Sequence, residues 1–352
     1  WDRLSEHLTG IQTILISPDG LLATVPWGAL PGNEPSSYLI EQYAIGILPA
    51  PQLLARMLHD ADAKQTPAPA IRSLLLLGDI DFGAAPGTST LQVATRSAPE
   101  GTGEGGNFRN WLELPNAGPE MSAVRGLFED SFPGATVTRL RQGEATEDRF
   151  RIEALKHSVL HLVTHGYFAP EQMKSVFQSD NQDQFGLQGM GDRNMPRATG
   201  YPPGLLSGIV LAGANRRPEP GQDDGILTAL EVMELDLRCV ELVTLSACET
   251  GLGPVAGGEG LLGLQRSFQL AGAGTVVASL WKVPDAETQL LMQEFHRNLW
   301  DKKLGKLEAL RQAQLKLLRE QRTRGGTDEL GGEQAGAAPR LWGAWVLSGD
   351  WR

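Results

Sequence analysis

Leu-Val-Thr-Leu-Ser-Ala-Cys-Glu-Thr-Gly, residues 242–251, is an apolar β-type run that stops on a thiol, Cys248, just before a glycine-rich loop. A second apolar run, Val159 to Thr164, stops in the same way on His165-Gly166. In an open α/β sheet, active sites form outside the carboxyl ends of the strands. Two runs ending on a thiol and an imidazole therefore predict such a sheet, and they supply the two groups a cysteine hydrolase needs.

Outward from these runs, strands alternate with helices from residue 71 onward. Ile71 to Leu77 is nearly all apolar, as expected of a strand buried on both faces. Met121, Val124, Leu127 and Phe128 form a helical stripe, Thr136 to Leu140 reads as a strand, and Thr146 caps a helix running to Lys156. Thr228-Ala229-Leu230-Glu231 is a capping box; Leu261, Leu264 and Phe268 mark a helix, and Gly274 to Trp281 a further strand. Apolar positions between Leu290 and Leu318 fit one long helix or two, and Trp345 to Leu347 is a closing strand. This alternation predicts a mostly parallel sheet flanked by helices on both sides. Residues 83–110, 169–204 and 321–338 read as long loops. Nearer the start, Ile11 to Ser17, Pro18-Asp19-Gly20 and Leu21 to Val25 read as a β-hairpin, followed by a strand at 43–48 and a helix at 52–58. The alanine- and proline-rich residues 60–69 read as a linker.

The 352 residues hold 31 lysines and arginines against 42 acidic residues, a net charge of −11. That balance opposes direct nucleic-acid binding, which sets cations against phosphate. No run approaches the ~20 apolar residues of a membrane span, so no membrane partner is expected. Cys239 and Cys248 lie nine residues apart on one strand and its approach. This argues against a disulfide and for a reducing, cytoplasmic setting. The chain opens on Trp1 rather than Met, which suggests the C-terminal part of a longer protein.

Each reactive residue has a rival reading. Free cysteine is often simply buried, and Cys239 keeps that reading, whereas Cys248 stands where a strand yields to glycines. His161 lies mid-strand, four residues before His165 and on the same face of an unbroken strand, where a satisfied core histidine is expected. A metal site lacks a third ligand at useful spacing, so neither metal nor cofactor is expected. Gly251-Leu252-Gly253-Pro254-Val255-Ala256 matches a dinucleotide-binding fingerprint. Pro254 removes a backbone donor there and further glycines delay the helix, so a dinucleotide-binding domain is the weaker reading.

Longer motifs add a family. They are IleSerProAspGlyLeuLeuAlaThrValProTrpGlyAlaLeu at 16–30, LeuLeuGlyAspIleAspPhe at 76–82 and LeuHisLeuValThrHisGly at 160–166. LeuSerAlaCysGluThrGlyLeuGly at 245–253, GlyGluGlyLeuLeuGlyLeu at 258–264, AlaSerLeuTrpLysValProAsp at 278–285 and TrpGlyAlaTrpValLeuSerGlyAsp at 342–350 follow in order. With these the chain resembles the CHAT-domain branch of caspase-like (caspase- and separase-related, clan CD) cysteine peptidases, almost end to end.

The resemblance implies an α/β caspase-like three-layer sandwich over residues 67–352, with a small hairpin-containing N-terminal segment, 1–66, of the same CHAT unit. It implies Cys248 as nucleophile and His165 as its acid–base partner. The backbone N–H groups of Gly166 and Cys248 are the expected oxyanion donors. Asp285 matches the acid that separases place in the S1 pocket, which would favour a basic P1 residue. The rival reading makes it a cap of the helix after Pro284. Asp79 and Asp81, ending another strand, are second candidates for that pocket. Expected partners are a protein substrate and a regulatory N-terminal region of the TPR type, in bacterial signalling or defence. The contrasting expectation is a catalytically silent, caspase-like scaffold.

Overall fold

Leu74 to Leu77 each have no exposed surface, because a strand covered on both faces has no use for a polar side chain. In this computed structural model the described residues are 4, 6–63, 72–84, 111–168, 203–218, 222–246, 259–281, 283–323 and 339–352. The main sheet has eight strands in the spatial order β1 (Thr13–Ile16), β2 (Ala44–Ile47), β11 (Trp345–Gly349), β10 (Thr275–Ser279), β9 (Leu242–Leu245), β5 (Val159–Leu162), β3 (Ser73–Leu77) and β4 (Thr136–Leu140). Every neighbouring pair is parallel except β10–β11. A smaller antiparallel sheet joins β6 (Gly166–Phe168), β7 (Ser207–Val210) and β8 (Ile226–Thr228).

The helices, in chain order, are α1 (Leu39–Gln42), α2 (Gln52–Ala63), α3 (Ala117–Ser131), α4 (Glu147–Ala154), α5 (Ala229–Val232), α6 (Glu259–Leu270), α7 (Asp285–Trp300) and α8 (Lys306–Thr323). Alternation along each strand splits the core in two. Leu75, Leu77, Leu160, Leu162 and Val243 meet Phe150 of α4 and Phe268 of α6 on one face. Leu74, Leu76, Val159 and Leu242 meet Val124 and Phe128 of α3, Phe295 of α7 and Leu310 of α8 on the other. Each fully buried leucine contributes about 1.5–3 kcal/mol of transfer free energy, so both layers are pinned to the sheet.

The mixed α/β architecture, with a mostly parallel sheet between helices, is as the sequence predicts, and so is the Thr146 cap, whose hydroxyl accepts from the Arg149 N–H at 3.3 Å. The hairpin is not. Gly20–Thr24 is a 3-10 turn, held by Leu22 N–H to the Asp19 carbonyl at 3.1 Å, and β1 pairs in parallel with β2 instead. A short apolar alternation cannot say which strand it will pair with, and β2 is already fixed to the sheet through Ser348 opposite Ile47. The N-terminal strands therefore extend the main sheet. The apolar positions between Leu290 and Leu318 resolve into two helices, α7 and α8.

Candidate active site

β5 and β9 lie side by side and parallel, with His161 opposite Thr244 and Leu162 opposite Leu245. One more rung follows, since the Ser246 N–H donates to the Leu162 carbonyl at 2.8 Å. After Leu162 the chain leaves the main sheet. Val163 N–H still reaches the Leu77 carbonyl at 2.7 Å, but Thr164 donates its hydroxyl to the Val210 carbonyl. Val210 N–H in turn donates to the His165 carbonyl at 2.9 Å. The strand thus ends at Leu162 rather than Thr164, and the expectation that His161 and His165 share a face fails for that reason. His161 looks toward α3 and α7, whereas the His165 ring is wedged between Phe82 and Trp111, with centroids 5.2 and 5.3 Å away.

His165 is buried, and its Nε2 lies 2.6 Å from the Leu112 carbonyl oxygen. A carbonyl only accepts, so Nε2 carries the proton of the neutral ring and Nδ1 does not. The strap that supplies this carbonyl is itself clamped. Asn215 accepts from the Trp111 N–H at 2.7 Å and donates to the Trp111 carbonyl at 2.9 Å. Gly166 begins β6 opposite Ile209, and the Val210-to-His165 bond makes that pair a non-hydrogen-bonded one. Its N–H therefore points away from β7, on the side of β6 that no described strand pairs with. Cys248 and the glycine loop after it lie outside the described residues.

The three acids have different fates. Asp79, in the left-handed region at φ 53°, is paired with Arg141 through two nitrogens, and this hydrogen-bonded guanidinium holds its carboxyl below the usual range. It locks the end of β3 to the end of β4. Asp81 accepts from the Gly83 N–H at 2.9 Å in a tight local turn. Asp285 is the first residue of α7, and its Oδ2 accepts from the backbone N–H of Asn116 at 2.7 Å. It thus supports the start of α3 rather than capping the helix it begins.

A buried polar group that the sequence reading passed over sits beneath β5 and β9. Glu120 of α3 has no exposed surface, and its Oε1 is 2.9 Å from Nε2 of His161. Burial pushes the Glu120 carboxyl up to about 8, a contacting Ser246 hydroxyl opposes that rise, and Asp285 adds to it. Burial likewise pushes His161 down to about 3, so both partners are neutral near pH 7. The signal was available: Glu120 lies four residues before Val124 and eight before Phe128, squarely within the apolar stripe.

Comparison with known proteins gives a consistent picture. The family profile described as the CHAT domain matches residues 1–350. Human tetratricopeptide repeat protein 28 is 24% identical over 292 residues, which span 82% of this chain but 10% of that protein. Its mouse counterpart is 38% identical over 74 residues, 21% of this chain and 3% of that one. Among solved structures, the Arg-specific cysteine proteinase gingipain R superposes with a TM-score of 0.50 at 10% identity, over 99% of this chain and 66% of that one. The separase of the Saccharomyces cerevisiae separase–securin complex gives a TM-score of 0.45 at 12% identity, over 93% of this chain and 15% of the other. The structural neighbours share the caspase-like peptidase fold.

Proposed function

The chain belongs to the CHAT-domain family, and on that premise we propose that it is a cysteine endopeptidase in which Cys248 is the nucleophile and His165 its acid–base partner. The observation that carries this reading is the register of β5 against β9. Leu162 and Leu245 face each other, and His165 and Cys248 each follow three residues later. Ser246, two residues before Cys248 in the sequence, is still on the ladder beside the end of β5, which supports the pairing.

In this reading Cys248 Sγ attacks the scissile carbonyl carbon and the developing oxyanion is met by the outward-facing Gly166 N–H, with the Cys248 N–H as second donor. Loss of one such donor costs roughly 3–4 kcal/mol in comparable sites. His165 Nδ1 takes the Cys248 thiol proton as sulfur attacks and hands it to the leaving amine as the C–N bond breaks, giving a thioester. It then takes a proton from water, which releases the acid product and restores the thiol. The Leu112 carbonyl steadies the imidazolium through Nε2–H.

The pocket for a basic P1 side chain is proposed at Asp285, supported by its place in the motif at 278–285. Asp79 is the weaker choice because Arg141 already occupies its carboxylate. Asp81 remains a secondary one. A TPR-type region is proposed as regulator, supported by likeness to a tetratricopeptide repeat protein of which this chain spans 10%. The test compares cleavage products in cells carrying wild type, Cys248→Ala or His165→Ala. Products that vanish in both variants are expected. Identical products in all three would leave the interaction-module reading standing.

A further inference from the structure

Three elements converge on Glu120. α3 supplies the carboxyl, β5 supplies His161 at 2.9 Å, and the step after β9 supplies the Ser246 hydroxyl. α7 closes the site with His296, whose ring meets His161 edge-on at 5.0 Å, and with Asp285 at its first turn. Glu120, His161 and His296 have no exposed surface, and Ser246 is buried too. His296 donates Nδ1–H to the Met292 carbonyl at 2.9 Å, and burial holds it well below the usual histidine range. Glu120, His161 and His296 are therefore all uncharged at neutral pH.

An apolar pair of equal volume would usually give as much stability as this one, so stability alone does not account for the polar group. Its location does. His161 is the third of four residues in β5, and Ser246 is the first beyond β9, so the group grips both strand ends from the face opposite the His165 ring.

Resting on the peptidase reading, we propose that Glu120 is a positioning residue, whose carboxyl ties His161 to Ser246 and so fixes the relative placement of the strand ends that precede His165 and Cys248. Glu120 Oε1, His161 Nε2 and the Ser246 hydroxyl are buried without another hydrogen-bond partner, and in its acid form Glu120 is the group that can serve both, donating O–H to Nε2 2.9 Å away and accepting from Ser246. Once ionised it places a charge among His161, His296 and Ser246 that none of them neutralises, and the alignment is lost.

The test is the rate at which iodoacetamide alkylates Cys248, read by mass spectrometry against Cys239, which is exposed rather than buried as the sequence suggests, as internal control. Wild type, His165→Ala, Glu120→Ala and Glu120→Gln are compared from pH 6 to 9, each checked for folding by circular dichroism. Glu120→Ala is expected to slow Cys248 relative to Cys239 on the order of ten- to a hundred-fold at pH 7, and Glu120→Gln to restore most of the rate. Through about pH 8 the Cys248 rate of wild type should fall relative to that of Glu120→Gln, in which no acid is left to ionise. Equal rates in folded Glu120→Ala and wild type overturn the proposal, as do matching pH profiles in wild type and Glu120→Gln. The latter decides the matter if Glu120→Ala does not fold. If His165→Ala leaves Cys248 reactivity unchanged, the peptidase reading itself falls, and this one with it.

Discussion

Replacing Glu120 with glutamine isolates one buried proton, and the size of its effect follows from the structure. The carboxyl has a pKa of about 8 in the folded chain against an ordinary 4.5. Between those values the folded state holds a proton that the unfolded chain has released. Stability therefore falls as pH rises, by about 1.4 kcal/mol per unit, and this contribution levels off above pH 8. His161 acts in the opposite sense at lower pH. Its folded value of about 3 against 6.5 makes stability rise with pH up to 6.5, where its contribution levels off. The two trends overlap between pH 4.5 and 6.5, which leaves 6.5 to 8 as the window where Glu120 acts without His161. Glu147, Asp223 and Glu231, all raised by burial, are common to both proteins and cancel when the variant is subtracted. His161 also cancels, because its displacement comes from burial rather than from the Glu120 charge. Over those 1.5 units the stability of wild type relative to Glu120→Gln should fall by about 2 kcal/mol. Urea unfolding at half-unit pH steps, followed by tryptophan fluorescence with m-values held equal, measures it. A stability difference that varies by less than about 0.5 kcal/mol across the window would refute the buried neutral acid.

Other substitutions test neighbouring parts. Asp285→Ala removes the acceptor of the Asn116 N–H and should cost about 1–2 kcal/mol in a denaturant melt, with Asp285→Asn restoring most of it. The same change removes a charge that raises the Glu120 pKa, so the pH window above should shift downward. Gly225 has φ +78°, and a Cβ there would lie 2.4 Å from the Ala214 nitrogen. Gly225→Ala is expected to cost more than about 3 kcal/mol, read as a lowered thermal midpoint or loss of soluble protein. Asn215→Ala breaks both bonds to Trp111, of 2.7 and 2.9 Å, and should cost about 2 kcal/mol while slowing Cys248 alkylation. Unchanged alkylation would show that the strap does not steady His165.

Much of the architecture could be read along the chain because the signals were local. The leucines of β3 need cover on both sides, and the Thr228 hydroxyl and Glu231 carboxylate form their capping box within four residues. Where partner choice mattered, local signals fell short. β6, β7 and β8 are three or four residues each, too short for an alternating period to show. The turn at Gly20–Thr24 looked like a returning strand because nothing nearby says that β2, some thirty residues on, is the partner.

The sequence by itself determined the α/β class and the family, since long ordered motifs record both without reference to distance, and it singled out His165 and Cys248 as candidates. Only the tertiary structure decided that β5 and β9 are neighbours in matched register, because strand order is a property of the packed sheet. It alone separated His161 from His165, by ending β5 at Leu162 and bending the chain into a second sheet. It also showed Glu120 among those histidines. A carboxyl 41 residues from the imidazole beside it, 161 less 120, leaves no mark on periodicity beyond one acid in an apolar stripe, and only burial raises that acid's pKa to about 8.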